Sequence, residues 1–77
     1  MPRFVPVDWR TLERVFLAAS FRFARQEGSQ RSYVRQGTAR PIVIPTYGEV
    51  PVFIIRNNLK TARLSRDDYF RLLEQMG

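Results

Sequence analysis

The segment EGSQRSYV, from Glu27 to Val34, carries residue types that are well suited to contact a phosphate group. Gly28 and Ser29 form a small polar turn, and Arg31 and Tyr33 follow it in a segment whose alternation predicts a strand. A guanidinium group binds phosphate in a planar, bidentate way, and a tyrosine beside it can stack or form a hydrogen bond. The spacing therefore predicts a turn that holds an anionic backbone.

More arginines surround this turn. The chain has 13 basic and 7 acidic residues, a net charge of +6, and Lys60 is the single lysine. Five arginines fall on or beside three predicted strands: Arg22, Arg25, Arg31, Arg35 and Arg40. An antiparallel sheet backed by helices leaves one face open, where these arginines would form an electropositive plate. RNA is the obvious partner, although a solvated face or a docking face for an acidic protein would carry the same charge.

Other catalytic groups are missing from the sequence. With no histidine and no cysteine, the chain lacks the best proton shuttle at neutral pH and any thiolate nucleophile. Asp67 and Asp68 are adjacent, so on a helix they point about 100° apart and are interpreted as charges that favour the helix N-terminus. Neither a cofactor nor a metal is expected. The lack of cysteine, of a signal-peptide pattern and of a membrane-length apolar run fits a cytoplasmic protein without a membrane partner.

One helix and an antiparallel meander are predicted to position the turn. Asp8 is the predicted N-cap of a first helix that ends near Ser20, with apolar side chains at helical spacing. Three strands follow, at residues 21–26, 30–35 and 40–45. Short turns at Gly28 and at Gly37 join them. The two prolines of the third strand cannot donate to a ladder, so they are expected at its ends or on a sheet edge.

Two further helices are predicted to complete the fold. Residues 46–50 are expected to form a loop, and the segment after it is ambiguous, because its β-branched and aromatic residues favour a strand. Pro51 in a first-turn position and apolar side chains at helical spacing favour a helix instead. Ser65 and Asp68 resemble a capping box that starts the last helix. Residues 1–77 are thus expected to be a single α+β domain of order α-β-β-β-α-α, with helices packed on one face of a three-stranded antiparallel sheet.

This order of elements and the Gly28 turn resemble the HicA family of bacterial toxins, from the first helix to the last. The resemblance rests on a Gly-Ser-His-type turn entering the second strand, here Gly28-Ser29-Gln30, and on the segments IVIP, IIRNNLKTA and LSRDDYF. It implies a fold like that of double-stranded-RNA-binding domains, endoribonuclease activity on messenger RNA (mRNA), and silencing by a HicB-type antitoxin.

Gln30 stands where the resemblance places a catalytic histidine. Cleavage by transesterification needs groups that move protons, and a glutamine amide does not titrate. The resemblance therefore implies a toxin that is impaired in catalysis at Gln30. The residues predicted to bind RNA are those of the turn and of the electropositive plate: Gly28, Ser29, Arg22, Arg25, Arg31, Tyr33, Arg35 and Arg40. A natural variant and a deliberate replacement that disarms the toxin would both give this sequence. The alternatives are a non-catalytic RNA-binding module and an interaction domain for an acidic partner.

Overall fold

The computed structural model describes residues 2–76. The helices are α1 (Trp9–Ala18), α2 (Val52–Ala62) and α3 (Arg66–Met76). The strands are β1 (Val7–Asp8), β2 (Arg22–Glu27), β3 (Gln30–Val34), β4 (Ile42–Pro45) and β5 (Glu49–Val50). The predicted α+β architecture is confirmed, and β2, β3 and β4 form its three-stranded antiparallel sheet.

The register of this sheet decides which side chains share a face. Tyr33 in β3 lies opposite Phe23 in β2 and opposite Ile42 in β4. Between Phe23 and Arg25 the pairing with β3 shifts by one residue, which places a β-bulge at Ala24. Because directly opposed residues point to the same face, Tyr33 and Ile42 define one face of the sheet. The residues that alternate with them define the other.

The helices cover only the face that carries Tyr33. Helices α1 and α2 contact β4, and α1 also contacts α3. The buried core joins all of these elements and consists of Leu12, Val15, Phe16, Phe21, Tyr33, Ile42, Ile44, Val50, Ile55, Leu59, Ala62 and Tyr69. Gln30 and Val43 point the other way and are exposed. We call this second, uncovered side of the sheet the open face.

Hydrogen bonds at the helix ends confirm the predicted caps. The Asp8 carboxylate accepts the Arg10 N–H at 2.8 Å, as expected of an N-cap. At the start of α3, the Asp68 N–H donates to the Ser65 hydroxyl at 3.0 Å and the Ser65 N–H donates to the Asp68 carboxylate at 3.1 Å. This reciprocal pair is a capping box, and it lowers the pKa of the Asp68 carboxyl.

The ambiguous segment after Pro51 is a helix, as predicted. Its buried side chains include Ile55, Leu59 and Ala62, whose spacing of four and three residues places them on one side of a helix. Helix α2 ends where Arg63 adopts a left-handed conformation with φ of 58°. Packing of an apolar stripe thus outweighs the strand propensity of its β-branched residues.

Two details differ from the sequence prediction. The predicted loop at 46–50 ends in β5, which pairs with β1 through Val7 opposite Val50, a contact too short to leave a period-two pattern. Phe21, expected to begin the first strand, instead donates its N–H to the Phe16 carbonyl at 3.0 Å and closes the end of α1. The expectation for the prolines is confirmed, because Pro41 precedes β4 and Pro45 ends it at the edge of the sheet.

Candidate nucleic-acid interface at the β2–β3 turn

The turn between β2 and β3 is held from both sides by hydrogen bonds. Gly28 has φ of +57°, a left-handed conformation that suits glycine. The Gln26 amide donates to the Gly28 carbonyl at 2.9 Å. The Ser29 carbonyl accepts both the backbone N–H of Thr46 at 2.8 Å and its hydroxyl at 3.1 Å. These bonds fix the backbone conformation of the turn relative to the sheet.

Gln30 follows this turn and is exposed on the open face. It lies opposite Glu27 in β2 and opposite Pro45 in β4. Glu27 in turn lies 3.7 Å from the guanidinium of Arg25, an exposed ion pair of a kind that contributes little to stability. Gln30 is therefore a solvent-facing amide near a carboxylate and a cation, and it is not part of the hydrophobic core.

Arg22 and Arg25 also lie on the open face, opposite Val34 and Ser32. Both arginines are exposed, as is Arg40, which precedes β4. A shallow groove of about 260 Å³ runs over this face and is lined by Ala24, Arg25, Ser32, Val34 and Pro41. The open face therefore combines exposed cations with a groove lined mostly by small and apolar side chains.

The five strand arginines do not share this face, so the expected single plate of arginines is wrong. Arg31 lies opposite Gln26 and Ile44, and it points to the helix side of the sheet. Its side chain is only 24% exposed. Arg35 also points to the helix side. Strand alternation correctly places Arg31 and Arg35 on one side of the sheet and Ser32 and Val34 on the other. The open face carries Ser32 and Val34.

Arg31 is held by protein acceptors. Its Nε donates to the Tyr33 hydroxyl at 3.0 Å and lies 3.2 Å from the Glu13 carboxylate. Its NH1 donates to the Gln26 side-chain oxygen at 2.8 Å, and its Cζ lies 4.1 Å from the centre of the Phe23 ring. With these contacts Arg31 acts as a structural cation, tying strand β2 and helix α1 to β3.

Tyr33 is fully buried, so its ring cannot stack on a base. Its hydroxyl donates to the Glu13 carboxylate. Burial, together with this bond, raises the pKa of Tyr33 to about 12. A continuous hydrogen-bond chain thus runs from Glu13 through Tyr33, Arg31 and Gln26 to the Gly28 carbonyl, and we call it the Glu13 chain. It connects helix α1 to the turn that carries Gln30.

This raised pKa predicts a loss of stability at alkaline pH. The pKa of Tyr33 is about 12, against an ordinary value of 10.0, so between these values the folded protein holds a proton that the unfolded chain releases. Its contribution is therefore complete below pH 10 and falls as pH rises towards 12, by about 2–3 kcal/mol in all. Urea unfolding at pH 9, 10, 11 and 12 measures the decline.

The Tyr33→Phe variant is the control for this titration. Without the Tyr33 hydroxyl, the decline should be smaller, and the part that remains should come from Tyr69, whose pKa is also raised by burial. An identical pH dependence in Tyr33→Phe and in the unsubstituted protein would contradict the assignment.

Arg35 joins the ends of two helices. Its NH1 donates to the Ala19 carbonyl at 3.0 Å and its NH2 donates to the Ala62 carbonyl at 2.7 Å. Its Nε donates to the Thr38 hydroxyl at 3.2 Å. A cation placed against the last carbonyls of α1 and α2 stabilises both helix dipoles, so Arg35 contributes to the fold.

Two residues that support the site, Glu13 and Gln26, were not predicted from the sequence. The helical spacing of the apolar residues in α1 predicts that Glu13 lies on the polar side of this helix, yet its side chain is only 20% exposed because it faces Arg31 at the interface between α1 and the sheet. An acidic residue flanked by arginines on a helix gives no local signal of such a contact.

Within residues 2–76, no cluster of acidic side chains is suited to hold a metal ion.

The fold and the turn define a class of protein: a small basic α+β domain with an exposed polar turn beside arginines on the open face of its sheet. Residues 9–64 match the family model described as HicA toxin of bacterial toxin-antitoxin. The chain belongs to this HicA toxin family, whose members are toxins of the ribonuclease type in toxin-antitoxin systems. A search of curated proteins gives no match.

None of the helices described within residues 2–76 is long and apolar enough to span a membrane.

Proposed function

We propose that this protein is a HicA-type toxin that binds mRNA at the Gly28-Ser29-Gln30 turn and cleaves it poorly, because Gln30 replaces the general acid or base. One observation supports this proposal above the others. Gln30 is exposed at a turn whose backbone is fixed by Thr46 and Gln26, so any side chain placed at position 30 meets a ligand in a defined place. A preorganised position is what a proton-transfer group requires.

The residues of the turn can bind a phosphodiester without moving a proton. Gly28 allows close approach of the RNA backbone because it has no side chain. The Ser29 hydroxyl and the Gln30 amide can each donate to a phosphate oxygen or accept from a 2′-hydroxyl. Neither group titrates near neutral pH, so transesterification lacks the proton acceptor that histidine would supply.

The cations that we assign to direct RNA contact are Arg22, Arg25 and Arg40, because they are exposed at or near the open face. Arg31 and Arg35 support the site indirectly, since their guanidinium groups are already bound by protein acceptors. Tyr33 belongs with them, as a buried member of the Glu13 chain. This division separates the predicted RNA-binding residues into those that touch RNA and those that position the strands.

RNA binding is expected to depend steeply on salt. Each phosphate neutralised in a single strand contributes about −0.7 to the slope of log affinity against log salt concentration. Arg22→Ala/Arg25→Ala should reduce the magnitude of this slope by about 1.4 and weaken binding about tenfold at low salt. Fluorescence anisotropy with labelled single-stranded RNA measures both.

The control for this measurement is Arg10→Ala/Arg14→Ala, which removes the same charge from the exposed side of α1 and should leave the slope close to that of the unsubstituted protein. RNA affinity that does not change between low and high salt would contradict the proposed mode of binding.

The antitoxin implied by the family is proposed to cover the same face. The groove beside Arg25 is flanked by exposed Pro41 and Val43, so it offers apolar area as well as charge to an acidic protein of the HicB type. A preformed complex with such an antitoxin should therefore exclude RNA. Simultaneous binding of both partners would place the antitoxin elsewhere.

The catalytic part of the proposal is tested by Gln30→His. Recovery of RNA cleavage in this variant supports the proposed site, and a folded, RNA-binding variant that cuts nothing refutes it.

A further inference from the structure

The outer side of helix α2 is a second cationic surface, separate from the turn. The residues of α2 alternate between a buried stripe, formed by Ile55, Asn58, Leu59 and Ala62, and an exposed stripe on the opposite side. The exposed stripe consists of Phe53, Arg56, Asn57, Lys60 and Arg63. At 100° per residue the four of them that belong to α2 fall within about one third of the helix circumference, and Arg63 follows directly after the last turn. We call them the α2 stripe.

The charge of the α2 stripe has one sign. The sequence of α2, VFIIRNNLKTA, contains no acidic residue. Within residues 2–76, no salt bridge is formed by Arg56, Lys60 or Arg63. Arg56 and Lys60 are four residues apart, which separates them by about 6 Å along the helix axis, and Arg63 follows directly after the end of the helix. The stripe is thus a row of cations at short intervals, with no carboxylate paired to them in the described part of the chain.

An exposed aromatic ring begins this row. Phe53 is 66% exposed, the highest exposure among the large hydrophobic side chains of the described residues. It does not pack into the core, so its position on α2 has no evident role in folding. An aromatic ring beside a row of cations is the arrangement with which proteins bind single-stranded nucleic acid, the ring stacking on a base and the cations following the backbone.

A further cation lies beside this row. The Arg56 guanidinium carbon lies 5.2 Å from the centre of the Phe4 ring, and that of Arg66 lies 5.3 Å from the same ring. Both guanidinium groups therefore contact the same ring, which keeps them near one another. Through this contact, the first turn of α3 adds another cation to the α2 stripe.

Helix α2 runs from the turn end of the molecule to its opposite end. Thr46, which contacts the Ser29 carbonyl, precedes the start of α2 by only a few residues. At the other end, the Ala62 carbonyl accepts a hydrogen bond from Arg35, just beyond β3. Phe53 is thus near the Gln30 end of the sheet and Arg63 is near the far end. The edge strand β4 lies between the turn and α2.

We propose that the α2 stripe binds the phosphate backbone of a single-stranded RNA segment that continues from the Gln30 turn over the edge of β4, with Phe53 stacking on a base. This inference rests on the proposed function, because it assumes that the ligand of the turn is RNA. An acidic protein is the other possible occupant. RNA is favoured because Phe53 is the only apolar member of the stripe, whereas the centres of protein interfaces are depleted in charged residues.

The experiment compares two lengths of labelled single-stranded RNA. One is about 5 nucleotides long and can occupy the turn alone, and the other is about 15 nucleotides long and can also reach α2. The protein is used with Gln30 in place, so that binding is measured at equilibrium without cleavage. Arg56→Ala/Lys60→Ala should weaken binding of the long RNA about tenfold and reduce its salt slope by about 1.4. The affinity of this variant for the short RNA should stay within about twofold of that of the unsubstituted protein.

Phe53→Ala should weaken binding of the long RNA about five- to tenfold. The salt slope should not change, because the substitution removes stacking and no charge. The matched control is Arg10→Ala/Arg14→Ala, which removes two cations at the same spacing from α1 and should affect neither RNA. All of these positions except Phe53 carry exposed polar side chains. Circular dichroism and thermal unfolding of each variant show that the fold is kept.

Each outcome separates the two proposals. If the unsubstituted protein binds neither RNA, the proposed function itself fails. If Arg22→Ala/Arg25→Ala weakens both RNAs while Arg56→Ala/Lys60→Ala binds the long RNA normally, the α2 inference is overturned and the proposed function stands. If the α2 substitutions weaken binding of poly-glutamate and leave RNA binding unchanged, the stripe is a surface for acidic proteins and its assignment to RNA is wrong.

Discussion

Gln30→His is expected to raise the rate of RNA cleavage by about 10²–10⁴-fold, which is the usual contribution of a general acid or base. Position 30 is exposed, and the turn before it is fixed by hydrogen bonds from Gln26 and Thr46. A histidine there would therefore meet the RNA backbone in a defined geometry. With a pKa near neutrality, it can accept the proton of a 2′-hydroxyl.

The measurement is cleavage of a long mRNA by purified protein, resolved on a denaturing gel over a range of pH. The rate of RNA cleavage should change as the new imidazole titrates, at a pH of about 6.5. The matched control is Gln36→His, which places the same group in an exposed turn at the other end of β3 and should produce no cleavage. Equal cleavage by both variants would show that position 30 has no special role.

Tyr33→Ala is expected to lower the free energy of unfolding by about 3–5 kcal/mol. Tyr33 is the central buried side chain of β3, between Phe23 in β2 and Ile42 in β4. Its removal leaves a cavity between the sheet and α1 and deprives the Glu13 carboxylate and the Arg31 guanidinium of a shared partner. A domain of 77 residues has little stability to spare, so this variant should be largely unfolded at physiological temperature.

Tyr33→Phe separates the ring from the hydroxyl. The ring still fills the core, and Glu13 still faces Arg31 at 3.2 Å, so the expected loss is only about 1–2 kcal/mol. Urea unfolding followed by circular dichroism measures both variants. Equal losses for Tyr33→Ala and Tyr33→Phe would mean that the stability resides in the hydrogen bonds of the Glu13 chain rather than in packing of the ring.

Local signals in the sequence were sufficient for most of the fold. The N-cap at Asp8 and the capping box at Ser65 depend on residues two or three positions apart, and such contacts can be recognised without knowledge of the tertiary structure. Helix α2 could be predicted because the residues of its buried apolar stripe recur at helical spacing. The β1–β5 pair was not, since its two short segments are more than forty residues apart and depend on each other.

The candidate site was predicted in part, and the limit was the direction in which each strand faces. Alternation shows that Arg31 and Arg35 share a side, but it does not show whether that side meets helices or solvent. The helix side accepts both arginines because Glu13 and the carbonyls at the helix ends, among them that of Ala62, bind their guanidinium groups. The β-bulge at Ala24 adds to the difficulty, since it changes the alternation of β2 midway along the strand.

The prolines at the two ends of β4 also limit aggregation of this protein through the edge of its sheet. A foreign strand that joins a sheet needs a row of free N–H and C=O groups, and Pro41 and Pro45 remove two of the donors at this edge. Sheet extension into fibrils should therefore begin along β2 instead. There the kink at Ala24 and the repulsion between the arginines of neighbouring molecules oppose stacking, so concentrated solutions should aggregate more readily when the ionic strength is high.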